Sequence, residues 1–445
     1  MKKVITYGTY DLFHQGHYNL LKHAKELGDY LIVGVTSEAF DQARGKLNVR
    51  DSLVKRIENV RKSGFADEII VEEYMGQKID DIKRYGIDIF TVGSDWVGHF
   101  DYLNEFCKVH YLERTKGISS TDIRNRETIR LGVWGAGSVA HRFCLEAKFV
   151  SGLEVTGIYR EGVDEAAANE LAEQNQLLIY EDWQEFMEEV DAVYICTPLQ
   201  EHARCIRMAL EAGKHVICET PFMSDAKEAE ALFELAGQKK LILFHGLKTA
   251  YCPAFLRMVS LSKTGLIGNV LTVDASFTKI FANASSGQVR SNSGGSMNAL
   301  GEYPLLAAIK LLGTDFRESK FFSRKTEDVD GYTWFYLGYE HSMAKGTVAI
   351  DAKKEGCLTI AGTKGYLYVP SPWWKTEYFE ARFENFNKNM KYFYKFQGEG
   401  FRYEIAEFVR CILKGQGSLM LTKEESLAMA RTLEQYRDKV GVETF

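Results

Sequence analysis

Short apolar runs rich in β-branched residues alternate with stretches at helical spacing along this chain, and the alternation occurs in two successive series. In the first, residues 4–6, 30–35, 68–71, 87–92 and 109–112 read as strands, while 18–27, 53–61, 78–85 and 119–126 read as helices. Strands and helices in strict alternation predict a parallel sheet wrapped by helices. Ligands of such sheets bind outside the carboxyl ends of the strands. The second series has strands at 128–134, 153–159, 192–196, 215–218 and 241–245, with helices to about 150 and over 166–174 and 202–212. From Tyr251 the pattern changes: 270–278, 334–339, 346–352, 357–361 and 366–369 read as strands of a more antiparallel sheet, with helices at 300–312, 401–413 and 423–439. All six prolines lie from Pro198 onward, a composition shift that supports a boundary after the first series. The expected class is α/β: a Rossmann-like domain over 1–126, a second Rossmann domain over 127–248, and an α+β domain with a large, mostly antiparallel sheet over 249–445.

A chain of 445 residues is too long for one ordinary domain. Its net charge of −6 gives no reason to expect nucleic acid or a membrane surface as partner. No apolar run reaches the roughly 18–20 residues of a membrane helix, and no signal-peptide core is expected behind Met1-Lys2-Lys3. The eight cysteines are scattered without a CxxC pair, so they read as reduced thiols of a cytoplasmic protein and no metal site is expected.

Two turns carry the chemistry. The first is Thr6-Tyr7-Gly8-Thr9-Tyr10-Asp11-Leu12-Phe13-His14-Gln15-Gly16-His17, between the first strand and first helix. His14 and His17, three residues apart, fall on one face of the opening helical turn. Helix N-termini attract anions, and two imidazoles aimed there suit a reaction that spreads negative charge over phosphorus. With Gly93-Ser94-Asp95-Trp96 and Arg114-Thr115-Lys116-Gly117-Ile118-Ser119-Ser120-Thr121 in the same order, residues 1–126 resemble the HxGH nucleotidyltransferases, in particular the glycerol-3-phosphate cytidylyltransferase branch. The resemblance implies CTP, arriving with Mg²⁺, over Thr9, Tyr10, His14 and His17. Lys46 would neutralise a phosphate, and Arg114, Thr115, Gly117, Ile118, Ser119, Ser120 and Thr121 would form a second phosphate cradle. Asp95 would help close the site, and Arg44 and Lys78 would face the acceptor.

The second turn is Gly135-Ala136-Gly137-Ser138-Val139-Ala140, a GxGxxA pattern between a strand and a helix. With Thr197-Pro198, His202, Glu219-Thr220-Pro221 and Gly362-Thr363-Lys364-Gly365, residues 128–445 resemble the Gfo/Idh/MocA oxidoreductases. The resemblance implies a dinucleotide held by the glycine-rich turn, Tyr159, Arg160, Thr197, Pro198, His202 and Glu219. Arg160 at the end of the second strand favours the 2′-phosphate of NADP, while Glu161 beside it leaves NAD open. Two positions depart from the family pattern: Thr220 stands where the catalytic lysine is expected, and Ala299 where an aspartate is. Tyr303 is retained as candidate acid, and Lys248, just past a strand end, is placed to stand in for the missing amine.

Together the two resemblances imply a bifunctional, homo-oligomeric enzyme. One half would reduce a keto or aldehyde precursor, and the other would join the alditol phosphate to CMP, giving a CDP-alditol for a capsule or teichoic-type polymer. The alternative is a cytidylyltransferase attached to a catalytically silent dinucleotide-binding scaffold or sensor.

Overall fold

The computed structural model describes residues 1–445 apart from 44–48, 75, 114–127, 281–293 and 327–328. It divides into two compact units, Met1–Thr128 and Ile129–Phe445. No described helix is long and apolar enough to cross a membrane.

Unit 1 is a five-stranded parallel sheet in the order β3-β2-β1-β4-β5. Its strands are β1 (Lys3–Gly8), β2 (Tyr30–Thr36), β3 (Glu68–Glu72), β4 (Ile89–Gly93) and β5 (Lys108–Leu112). The inner strands are apolar at consecutive positions because both faces are covered. Val4, Leu31 and Val33 pack on one face with Leu21, Ala24 and Val60. Ile5, Tyr7, Ile32 and Phe90 pack on the other with Ile82 and Leu103. Helix Leu53–Lys62 starts on a Ser52 cap that accepts from the Lys55 amide, and helix Gln77–Tyr85 ends at Gly86 in the left-handed region. The chain builds β1, β2 and β3 to one side, then crosses back to add β4 and β5. The order therefore reverses between β1 and β4, where open α/β sheets bind ligands.

Unit 2 begins with a six-stranded parallel sheet in the order β11-β10-β9-β6-β7-β8. The strands are β6 (Ile129–Trp134), β7 (Leu153–Tyr159), β8 (Leu178–Tyr180), β9 (Ala192–Ile195), β10 (His215–Glu219) and β11 (Leu243–Gly246). The reversal falls between β6 and β9. A nine-stranded sheet follows, in the order β19-β18-β17-β16-β12-β15-β14-β13-β20. It consists of β12 (Val270–Thr278), β13 (Glu318–Thr326), β14 (Val329–Gly338), β15 (Met343–Ala349), β16 (Leu358–Gly362), β17 (Tyr366–Val369), β18 (Tyr378–Arg382), β19 (Met390–Phe393) and β20 (Val442–Thr444). Most of its pairings are antiparallel, but β12 with β15 and β13 with β20 run parallel. Helix Glu302–Leu312, buried along nearly its whole length, packs on β12 and β15 and links the two sheets through Glu302, which accepts from the Phe222 amide at 3.0 Å.

Candidate active sites

In unit 1 the turn after β1 brings the two histidines together. The His14 and His17 rings stack with centroids 3.9 Å apart and planes inclined by 22°. His14 is the N-cap of helix Gln15–Glu26, and its Nδ1 accepts from the Gly16 amide at 3.0 Å. That bond leaves Nε2 to carry the proton of the neutral ring. Tyr10 and Phe13 hold the His17 ring, at 5.4 and 5.5 Å between centroids. The turn is strained: Tyr10 and Leu12 both have positive φ, 54° and 48°.

A buried polar frame absorbs that strain, and it was not visible in the sequence. Arg56, wholly buried, donates from Nη1 to the carbonyls of Thr9 at 2.9 Å and Thr36 at 2.8 Å, and from Nε to that of Asp51 at 3.0 Å. Asp41 accepts from the Thr9 hydroxyl at 3.0 Å and the Thr36 hydroxyl at 2.7 Å. Asp11 accepts from the amides of Arg50 and Asp51, each at 2.9 Å. Asp95 and Trp96 lie in a single turn, Ser94–Trp96, leaving the end of β4 beside β1, and the Trp96 indole is largely exposed. Lys78 is nearly buried, ion-paired with Glu72 and set over the Tyr7 ring at 4.7 Å, so its ammonium is already engaged. Arg44, Lys46, Arg114, Thr115, Gly117, Ile118, Ser119, Ser120 and Thr121 lie outside the described residues; the Arg114 segment follows β5 directly.

In unit 2 Gly135 adopts φ +126°, and a Cβ there would sit 2.7 Å from the Cys196 carbonyl oxygen. Only glycine fits this close approach of β6 to β9. Gly137 caps helix Ser138–Ala147 without a side chain and has open space above it. A pyrophosphate can therefore approach the helix amides, and the turn fits a dinucleotide. Arg160 follows β7 and pairs with Glu165 at 3.3 Å and with Glu181. Tyr159 does not face the rim. Its ring turns into the core, stacked on Phe186 at 5.3 Å and edge-on to Trp134 at 4.9 Å, because an aromatic cluster claims it. Arg204, missed in the sequence, lies over Trp134 and pairs with Glu161 at 3.3 Å. His202 is also inside, its ring nitrogens 2.8 Å from the Thr197 carbonyl and 3.2 Å from that of Phe222. Burial lowers its pKa below the usual histidine value, against the raising effect of the two carbonyls, and the ring braces the Thr197-Pro198 loop.

The polar centre gathers where β9, β10 and β11 end. Glu219 accepts from the Tyr194 hydroxyl at 2.7 Å and, on its other oxygen, from the Thr220 hydroxyl at 2.8 Å. Tyr303 is buried, edge-on to Phe277 at 4.7 Å. Lys248 is buried in the turn Lys248–Tyr251, its Nζ 4.4 Å from the Phe401 ring centroid, within the field of Glu219 and Glu404. Glu404, from helix Phe401–Lys414, is wholly buried. Ala299 lies in the short helix Ser296–Leu300, whose first turn is held instead by Asp330, accepting from the Met297 amide at 2.8 Å.

Comparison with known proteins matches two stretches of the chain to two families. Residues 5–126 fit the family described as cytidylyltransferase-like, and residues 129–247 fit the oxidoreductase family with an NAD-binding Rossmann fold. Glycerol-3-phosphate cytidylyltransferase of Staphylococcus aureus is 46% identical over 126 residues, which is 28% of this chain and 93% of that protein. The chain belongs to the cytidylyltransferase-like family. Its second unit is similar to trans-1,2-dihydrobenzene-1,2-diol dehydrogenase of Sus scrofa, 27% identical over 333 residues, covering 71% of this chain and 97% of that protein. The fold of this unit matches KijD10, a 3-ketoreductase of Actinomadura kijaniata solved with NADP and TDP-benzene, with a TM-score of 0.63 and 24% identity over 72% of this chain and 99% of that one. This two-family chain is thus an enzyme that joins a cytidylyltransferase to an NAD(P)-binding oxidoreductase.

Proposed function

We propose that unit 1 transfers CMP from CTP to an alditol phosphate, of which glycerol phosphate is the first candidate, and that unit 2 reduces the keto or aldehyde precursor of that polyol with NAD(P)H. The observation that carries the first half is the His14–His17 stack, 3.9 Å between centroids, at the first turn of a helix on the switch point of a parallel sheet. The acceptor's phosphate oxygen would attack the α-phosphorus while pyrophosphate leaves. No protein atom bonds to the nucleotide in this scheme, so the enzyme contributes position and charge. His14 and His17 would donate to the crowded oxygens around phosphorus. The Arg56 frame would keep Thr9 and Tyr10 in place beneath the nucleotide. Mg²⁺ would travel with the triphosphate as part of the substrate. Lys46 and Arg114–Thr121 would complete the phosphate cradle, as the resemblance implies.

In unit 2 the bound nicotinamide would supply the hydride. Gly135, Ala136, Gly137, Ser138 and Val139 would hold its pyrophosphate, with Arg160 and Arg204 beside the adenosine ribose, which favours NADP. Tyr303 would give the proton to the carbonyl oxygen. The 46% identity to a glycerol-3-phosphate cytidylyltransferase supports the acceptor class, and the retained, buried Tyr303 supports a working acid over a silent scaffold.

Incubation with CTP and a panel of alditol phosphates, read by mass spectrometry, tests the transferase. One new CDP-linked species names the acceptor, and none with any polyol phosphate rejects the assignment. NADPH with ketose and aldose phosphates tests the reductase. Cofactor binding without oxidation by any of them would turn unit 2 into a scaffold.

A further inference from the structure

We propose that Glu302 and His245 are positioning residues that hold Tyr303 in register with the loops that follow β9 and β10. The proposal rests on reading unit 2 as a nicotinamide-dependent reductase in which Tyr303 gives the proton. It assigns work to a buried acid and a buried imidazole that no step of that reaction otherwise uses.

Both carboxylate oxygens of Glu302 are bonded, each to a different element. Oε1 accepts from the Phe222 amide at 3.0 Å, and Oε2 lies 3.3 Å from His245 Nε2. His245 stands in β11, and its Nδ1 lies 3.1 Å from the Ser426 hydroxyl of helix Lys423–Arg437. A carboxylate accepts, so Nε2 carries the hydrogen. The His245 ring also stacks on that of Phe222, with centroids 4.7 Å apart. Glu302, His245 and Ser426 are all buried, where a hydrogen bond is electrostatically stronger than in water. Phe222 extends the line on its other side: its carbonyl lies 3.2 Å from His202 Nδ1, and His202 Nε2 lies 2.8 Å from the Thr197 carbonyl. One run of contacts therefore joins the loop after β9, the loop after β10, the end of β11 and the residue next to Tyr303.

The helix that carries Tyr303 starts on a bare joint. Its N-cap, Gly301, has no side chain to offer, and a Cβ there would strike the Met297 carbonyl oxygen. Glu302 is the first residue after that joint and Tyr303 the second. Successive helical side chains leave the axis about 100° apart, so anchoring Glu302 sets the direction in which Tyr303 points. The Tyr303 ring itself meets Phe277 of β12 edge-on at 4.7 Å, and Phe277 stacks on Trp374 at 3.8 Å. The nine-stranded sheet thus holds the ring, while Glu302 ties the backbone beside it to the parallel sheet. Proton transfer needs the hydroxyl within hydrogen-bond reach of the substrate oxygen, and a misplacement of about 1 Å can cost about 10²-fold. The helices of Glu302 and Ser426 are tied again about two turns further on, where Lys310 bonds both oxygens of Glu425 at 2.9 and 3.0 Å. That second tie joins the same helices away from Tyr303, so it separates position from stability.

The first test needs neither cofactor nor substrate. The full chain labelled with fluorotyrosine gives a fluorine NMR signal for Tyr303, assigned by its loss in Tyr303→Phe. Glu302→Leu should shift that signal, as should His245→Phe, which keeps the stack on Phe222 and removes the bond to Glu302. Lys310→Met should leave it in place. A signal unmoved in either folded variant, or moved as far by Lys310→Met, would overturn the proposal. The second test follows NADPH oxidation with whichever ketose or aldose phosphate the wild type reduces. Glu302→Leu should lower kcat by about 10²-fold at little-changed KM. Glu302→Gln can still accept from the Phe222 amide and bond His245, and should restore most of the rate. Lys310→Met should melt earlier yet keep kcat. Full kcat in the leucine variant, a glutamine variant as slow as leucine, or an equal loss in Lys310→Met would refute the assignment. If the wild type reduces nothing while the fluorine shifts follow this pattern, it is the reductase reading that fails.

Discussion

Arg56 Nη1 lies 2.9 Å from the Thr9 carbonyl oxygen, joining a helix residue to the turn that carries His14 and His17. The same nitrogen reaches the Thr36 carbonyl, so one guanidinium ties together the carboxyl ends of β1 and β2. Removing it takes the countercharge from the Asp41 carboxylate, 3.5 Å away and wholly buried, which keeps the hydroxyls of Thr9 and Thr36. Arg56→Met should destabilise unit 1 by about 3–5 kcal/mol, the usual result of breaking a buried pair on one side. Arg56→Lys should fold better but lose the fork that serves three carbonyls. Thermal melting of both variants checks the first statement, and their cytidylyl transfer rates check the second.

The histidines do two separable things. His14 caps a helix through its Nδ1, and the pair presents imidazoles to the anion site. His14→Asn keeps a cap and removes the imidazole, whereas His14→Ala removes both. The alanine variant should lose about 1 kcal/mol of stability more than asparagine. Both should lose about 10²–10³-fold in kcat, as His17→Ala should, with CTP affinity little altered. Pyrophosphate release from CTP gives the rates. A histidine variant with unimpaired turnover would show that the stack is structural.

The glycine-rich turn offers a contrast between neighbours. Gly135→Ala would drive a Cβ against the Cys196 carbonyl at a φ that alanine disfavours. It should destabilise unit 2 by about 1–3 kcal/mol and abolish NADPH binding. A Cβ at Gly137 meets no atom within 4 Å, so Gly137→Ala should melt like the wild type. It should still weaken NADPH binding, because the added methyl lies where the pyrophosphate approaches. NADPH fluorescence titration with parallel melting curves separates the two effects.

Both parallel sheets were legible because strands covered on both faces are written as unbroken apolar runs, as at 30–35 and 192–195. The open sheet was harder. In β13, Glu-Ser-Lys-Phe-Phe-Ser-Arg-Lys-Thr, one face meets solvent and carries charge, and β18, β19 and β20 are short strands with half their residues polar. The segment 178–189 is not legible because its strand is only three residues long and its short helix is broken up by Gln184, Glu185, Glu188 and Glu189. The site residues divide in the same way. The two turns stand out because their chemistry is contiguous in sequence. The Arg56–Asp41–Asp11 frame and the buried Lys248 and Glu404 do not, since their surroundings are assembled only through topology. Glu404 in particular reads as the polar face of an amphipathic helix, yet both faces of that helix are covered around it.

His202 gives a pH dependence with a definite sign. Burial depresses its folded-state pKa below the unfolded value of about 6.5, so the unfolded chain binds the proton more readily. Its contribution to stability is therefore present above about pH 6.5 and is lost as pH falls through the depressed folded value. The carbonyls of Thr197 and Phe222 and the charges of Glu219 and Glu302 favour the protonated ring, and burial outweighs them. The melting temperature should fall between pH 7 and pH 5, and His202→Gln should flatten that slope while lowering stability at pH 7. His215, depressed by the same cause, keeps its own share, so the variant's profile is reduced but not level. Differential scanning calorimetry across that range decides it: an unchanged slope in the variant would place the acid sensitivity of unit 2 elsewhere.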